Sequence, residues 1–260
     1  MNTMGSLRST VARLPPVLQR WAALAHSFVT RNGRPKPPPY VYESDGIATA
    51  WHSPFLEDRE WQARYDEMAR DWFSGGVVDV RWRMWILTEL ARGADGLGAF
   101  AEFGTNRGGC AYMMLAATQK SPLYMFDTFM GIPESNLSEQ ERAAGFAGSW
   151  SDTSLQHVKE RLAEWPVRTR FCVGDVFETL DSAETGTLAL VHMDLNAAAA
   201  TRRALEYVHP RLRAGGVIVC DDYGFTGYED QRAVIDGFFA GTRDRAFALP
   251  TGQALVLKSQ

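Results

Sequence analysis

The pattern of apolar and polar positions divides the chain near residue 98. Before it, apolar residues recur at helical spacing. In "DREWQARYDEMARDWF", Trp61, Tyr65, Met68 and Trp72 fall three and four apart, one stripe along a helix. "DVRWRMWILTELARGA" resumes the period after Gly75-Gly76. Residues 40–98 are therefore predicted to form a helical cap. After Gly98 the texture changes to short apolar runs: "AFAEFG", "LYMFDT", "TRFCVGD", "LALVHMDL" and "GGVIVCDD". Helix-like stretches lie between them, at 107–118, 153–164, 198–213 and 229–240. Strand alternating with helix predicts βαβ units and a mostly parallel sheet. Nearly unbroken apolar strands suit a sheet covered on both faces. The last two runs, "AFALPTG" and "QALVLK", predict an antiparallel pair closing one edge.

Composition adds limits. At 260 residues, 45% hydrophobic and 22% charged, the chain can bury a sizeable core. A net charge of −4 gives no general attraction to nucleic acid. No apolar run is long enough to span a membrane, and the N-terminus lacks the pattern of a signal peptide. Cys110, Cys172 and Cys220 are isolated and odd in number, which suits buried thiols in a reducing, cytoplasmic setting. Residues 1–39 carry six Lys/Arg and no acid, ending in "RPKPPP". This basic arm suits either an anionic surface or packing on a neighbouring subunit.

The 99–260 pattern is that of a Rossmann-like α/β domain, in which ligands bind at the carboxyl ends of the strands. Four of the five parallel-strand candidates carry an acid there: Asp127, Asp175, Asp194 and the Asp221-Asp222 pair. The first strand holds Glu102 within it. Carboxylates lose hydration on burial unless they are partnered or ligated. Acids gathered on one sheet edge thus suggest a ligand, although any single one can simply cap the next helix. In "EFGTNRGG", Gly104 permits the turn after the strand, and Gly108 and Gly109 let the helix start close to a ligand. The spacing is not the dinucleotide fingerprint, and no Lys-Ser/Thr follows as in a P-loop. An acid two residues ahead of the first glycine repels a pyrophosphate and suits a cation. Asp127 is placed for ribose hydroxyls, and Asp175 lies where an adenine edge would. A cationic tail, a ribose and an adenine describe S-adenosylmethionine (SAM) better than a nicotinamide dinucleotide, whose oxidoreductases are the rival reading.

Asp194, Asp221 and Asp222 belong to strands that this topology makes neighbours. Three hard oxygen donors suit Mg²⁺, which would activate an acceptor hydroxyl as a Lewis acid. The alternative is that Asp221 and Asp222 only order a turn. His192 shares a strand face with Asp194 and reads as a general base or as a core histidine. Arg81 and Arg83 bind an anionic substrate or a subunit, or are paired within the fold.

Together, "FAEFGTNRGG", "YMFDTFMGIPE", the stretch from "HMDLNAAAAT" through "CDDYGF", and "LPTGQALVLK" resemble the TylF-like methyltransferases, which include macrocin and mycinamicin sugar O-methyltransferases. The resemblance runs from about Asp45 to Lys258. It implies a SAM- and Mg²⁺-dependent O-methyltransferase of small molecules, commonly a homo-oligomer. It implies Asp194, Asp221 and Asp222 as metal ligands, with Asp194, Asp222 and His192 serving catalysis. Glu102, Gly104, Asp127 and Asp175 would hold SAM, together with Thr105, Asn106 and Gly108 of the loop, and the segment from "MGIPES" to about Ser151 would be a lid. One position departs from the pattern: where the family carries a second acid after the first metal aspartate, this chain has Asn196. An amide cannot take a proton at neutral pH, so either His192, a metal-bound hydroxide or an aspartate ligand is the base, or the acceptor is a carboxylate, phenol or nitrogen that needs little help, and the substrate does not carry over.

Overall fold

The computed structural model describes residues 39–70 and 79–260. The chain forms two compact units, 1–54 and 55–260. Most of the basic arm, with Trp72 and Gly75-Gly76, lies outside the described residues.

In the first unit, β1 (Tyr42–Ser44) and β2 (Ile47–Thr49) pair antiparallel. Asp45 and Gly46 make the turn, with φ of 51° and 73°. Two left-handed residues in a two-residue loop match the twist of a hairpin, and Asp-Gly is a sequence that favours it. The helical cap predicted from residue 40 therefore begins with strands.

The helices of the cap are real but belong to the second unit. Asp58 accepts from the Trp61 amide at 2.9 Å and starts α1 (Arg59–Ala69). Trp61, Tyr65 and Met68 are its buried face. The Trp61 and Tyr65 rings stack at 5.2 Å. Helix α2 (Arg81–Ala94) buries Met84, Leu87, Thr88 and Ala91, and Thr88 accepts from the Trp61 indole at 2.9 Å. Helices α1 and α2 pack against elements of the sheet domain.

Seven strands make the main sheet: β3 (Ala99–Phe103), β4 (Leu123–Asp127), β5 (Thr169–Val173), β6 (Leu188–Met193), β7 (Leu212–Cys220), β8 (Ala246–Ala248) and β9 (Ala254–Leu257). The order is β5-β4-β3-β6-β7-β9-β8. The first five are parallel, and β9 pairs antiparallel with both β7 and β8, the expected closing edge. Every residue of β3 and β6 is buried, which is why both read as continuous apolar runs. The intervening helices are α3 (Gly109–Ala116), α4 (Glu139–Ala143), α5 (Leu155–Arg161), α6 (Val176–Thr179), α7 (Ala198–Val208) and α8 (Glu229–Phe239). The stretch read as helix to 213 stops at Val208, because Leu212 already begins β7. The chain order reverses between β3 and β6. At that switch point the loops diverge and leave a crevice.

Candidate active site

The crevice has a volume of about 400 Å³ and opens at the carboxyl ends of β3, β4, β6 and β7. Glu102, Gly104, Thr105, Asn106, Asp127, Asp175, His192, Asp194, Asp221 and Asp222 all line it. These ten residues, all of the candidate set but Gly108, span positions 102 to 222 in the sequence, and the sheet register brings them together.

The glycine loop follows β3. Gly104 has φ +84°, and a Cβ there would lie 1.9 Å from the Asp194 carbonyl oxygen. Its role is therefore to let the end of β6 cross, so that Asp194 reaches the crevice. Gly108 also has positive φ, but its Cβ would meet Val158 of α5 at 2.9 Å. Along the crevice wall the position belongs to its neighbour Gly109. Asn106 donates its amide to Asp127 Oδ2 at 2.7 Å, and Thr153 donates to the Asn106 carbonyl at 2.7 Å. These bonds fix the loop in place.

The acids of the cofactor side are held by their surroundings. Asp127 also accepts from the Phe129 amide at 2.6 Å. Asp175 caps α6 by accepting from the Phe177 amide at 3.0 Å, and its other oxygen accepts from Asn136 Nδ2 at 2.9 Å. Asn136 is a buried wall residue that no spacing in the sequence points to. Glu102 is 1% exposed and makes no hydrogen bond among the described residues, nor does the Thr105 hydroxyl. Burial pushes the Glu102 carboxyl up, against the nearby positive charge of His192. A buried carboxylate with no hydrogen bond to either oxygen, and only the His192 imidazole nearby at 3.6 Å, fits a cationic donor.

The acids of the other side divide into two kinds. Asp221 is saturated by protein: Oδ2 accepts from Arg83 Nη1 at 2.7 Å and Oδ1 from Gln253 Nε2 at 2.8 Å. Arg83 also lies over the Phe225 ring at 5.1 Å. Burial would raise the Asp221 carboxyl, but His192 and Arg83 hold it below the usual carboxylate range. Asp194 and Asp222 approach each other closely enough for their side chains to interact. Burial, then the charge of Asp221, pushes Asp194 up to about 6. Asp222 is raised further by burial and by both neighbours. Two neighbouring buried carboxylates are a hard, oxygen-rich donor set, and this fits a divalent cation. His192, Asp194 and Asp221 also offer ligand atoms within 4.8 Å of one another.

His192 pairs with Glu102 in the sheet register. Its Nδ1 lies 3.6 Å from Glu102 Oε1 and its Nε2 3.5 Å from Asp221 Oδ1. Burial alone would lower it, but these two carboxylates raise it to about 10. An imidazolium has no lone pair for a proton, so the geometry favours charge balance over the base role. Asn196 has φ 55° and donates Nδ2 to Asp194 Oδ1 at 2.9 Å. Arg81 is paired with Asp79 and Asp66.

The expected lid is an ordered loop. Ser138 and Glu141 form a capping box on α4, and Glu141 Oε1 reaches across to accept from the Ala198 amide at 2.8 Å. The spacing Ser-x-x-Glu at 138–141 is a sequence signal for this box.

A profile of the macrocin O-methyltransferase (TylF) family matches residues 57–241. The chain belongs to this family. It is similar to 8-demethyl-8-(2,3-dimethoxy-α-L-rhamnosyl)-tetracenomycin-C 4′-O-methyltransferase of Streptomyces olivaceus, at 31% identity over 194 residues, 68% of this chain and 74% of that one. Among solved structures, the O-methyltransferase NovP matches with TM-score 0.64 and 20% identity, covering 77% of this chain and 88% of that one. The calicheamicin methyltransferase CalS11 matches with TM-score 0.60 and 17% identity, covering 85% and 99%. At those identities the two structures speak for the fold. This TylF-family chain is a SAM-dependent methyltransferase, and among its described residues no helix is long and apolar enough to cross a membrane.

Proposed function

We propose that the enzyme methylates a hydroxyl of a natural-product sugar, with Mg²⁺ held by Asp194 and Asp222. One observation carries this reading: a buried carboxylate without a hydrogen bond, Glu102, and a close pair of buried carboxylates, Asp194 and Asp222, line the same crevice. The first suits the ammonium of SAM, and the second suits a cation and an acceptor oxygen. The activity of the Streptomyces olivaceus relative on a rhamnosyl group supports the sugar.

Glu102 would hold the amino-acid end of SAM. Asp127, steadied by two backbone amides, keeps lone pairs for the ribose hydroxyls. Asp175 and Asn136 together present an acceptor and a donor to a purine edge. Bound there, SAM supplies a sulfonium methyl group, which an acceptor oxygen takes as it loses its proton. That proton needs a base. Asn196 cannot serve, and His192 is already a cation. Mg²⁺ held by Asp194 and Asp222 would lower the pKa of the acceptor hydroxyl itself, so that solvent could take the proton as the methyl group transfers. Mg²⁺ on the pair would add Lewis acidity and orient the hydroxyl. Asp221 works differently: tied to Arg83, Gln253 and His192, it fixes the wall behind the pair. We further propose a cytoplasmic homo-oligomer, on the free thiols and the basic arm.

Calorimetry with SAM in Mg²⁺ and in EDTA, followed by methyl transfer to a rhamnoside, tests the reading. SAM should bind in both conditions, and turnover should appear only with the metal. Full turnover in EDTA would remove the cation from the reading, and no SAM binding would remove all of it.

A further inference from the structure

The crevice has a wall that the cofactor and acid roles leave unused. Phe129 and Trp150, at the two ends of the loop over the crevice, both hold left-handed backbone, with φ of 54° and 58°. For bulky side chains this conformation is a rare one, and it persists only where the surroundings enforce it. The neck of the loop does so. Gly148 donates to the Ile132 carbonyl at 2.9 Å, and Ile132 donates to the Ser149 carbonyl at 3.1 Å. A Cβ on Gly131 would lie 2.6 Å from the Gly148 oxygen, so the two arms of the neck touch. Phe129 is buried, but Trp150 is 39% exposed and lies on the crevice wall.

Phe146 stands behind Trp150, edge-on at 6.0 Å, and also lies 5.3 Å from Tyr228. It does not line the crevice itself; it backs two rings that do. The Tyr228 hydroxyl makes no hydrogen bond among the described residues. Tyr228 lines the crevice together with Asp194, Asp221 and Asp222, and burial and these three carboxylates raise its hydroxyl. The two arginines of the wall are already committed: Arg83 pairs with Asp221 at 2.7 Å and Arg107 with Asp152 at 3.0 Å. An anionic acceptor would meet carboxylates there, with both wall arginines engaged elsewhere.

We propose that Trp150 and Tyr228 form the acceptor subsite, a stacking wall for a neutral pyranoside ring, with the Tyr228 hydroxyl donating to an oxygen beside the one that is methylated. The proposal rests on the methyltransferase reading and adds the determinant of acceptor choice. Rigid aromatic faces match the apolar face of a sugar ring, and a lone hydroxyl donor at the rim sets its orientation. Phe146 keeps the two rings in place and touches no substrate.

The test is calorimetry of 4-nitrophenyl α-L-rhamnopyranoside against protein saturated with S-adenosylhomocysteine, with 4-nitrobenzoate as the anionic control. The glycoside should bind and the benzoate should not. Trp150→Ala should weaken glycoside binding about tenfold, and Tyr228→Phe, which keeps the ring, about fivefold. Affinity for S-adenosylhomocysteine should change less than about twofold. Absence of glycoside binding to the wild-type protein overturns the subsite, as does equal binding by both variants. Loss of S-adenosylhomocysteine affinity in the variants also overturns it, by placing the rings on the cofactor side. A wild-type protein that fails to bind S-adenosylhomocysteine sinks the methyltransferase reading itself, which keeps the two failures distinct.

Discussion

The adjacent aspartates at the end of β7 should respond in opposite ways to the same substitution. In Asp221→Asn, one oxygen remains to accept where two were needed. The new amide nitrogen must face either Arg83 Nη1 or Gln253 Nε2, both donors now bound at 2.7 and 2.8 Å. The Arg83 side chain is only 18% exposed, so its charge is left largely buried and unpaired. Removing one partner of a buried pair costs about 3–5 kcal/mol, and the partial exposure of Arg83 puts this case near about 3 kcal/mol. His192 loses one of its two carboxylates as well. In Asp222→Asn, by contrast, a carboxylate repelled by Asp194 and Asp221 becomes neutral. Without metal, stability should be unchanged or rise by about 1 kcal/mol. Urea denaturation in EDTA measures both, and a Tm lower by roughly 6–10 °C is expected for Asp221→Asn alone. Turnover should fall at least about 100-fold in Asp222→Asn, with SAM affinity intact. Equal stability of the two variants would refute the division of labour between these neighbours.

Three further outcomes follow from the geometry. Gly104→Ala forces a Cβ against the Asp194 carbonyl at positive φ; it should cost about 3–4 kcal/mol in chemical denaturation and abolish SAM binding. In EDTA, stability should fall as pH rises. Asp194 is raised from 3.8 to about 6 and His192 from 6.5 to about 10, so the folded state binds more protons from about pH 4 to 10 and loses that advantage through this window; a flat Tm between pH 5 and 8 would contradict it. Asn196→Asp replaces the donor to Asp194 Oδ1 with a third carboxylate; it should lower Tm in EDTA by a few degrees and recover with Mg²⁺.

Much of the fold was legible because burial writes itself into composition. Strands β3 and β6 are covered on both faces, so a nearly unbroken apolar run occupies them, and Glu102 and His192 stand out within those runs as the polar exceptions. The hairpin at 42–49 was missed for a different reason. Asp45-Gly46 signals it locally, but it was read under the helical period that begins only at Arg59. The acids were legible because each ends a strand and the strand ends converge. Their partners were not. Arg83 lies 138 residues before Asp221, and Gln253 lies 32 after it. No local spacing encodes those contacts, and they decide which carboxylate stays available to a ligand.

Asn196 shows how the same site reconciles local and tertiary demands. The backbone there must turn left-handed to leave β6 and enter α7, with φ 55°. Asn tolerates that conformation better than most residues, because its short side chain bonds locally. Here the local bond is to Asp194 Oδ1, at 2.9 Å. A donor at this point steadies the negative charge of Asp194, where an acid would add to a cluster already short of cations. The amide therefore suits both the turn and the electrostatics: a position that the backbone requires to be left-handed is filled by a residue whose side chain also lowers the charge density around Asp194.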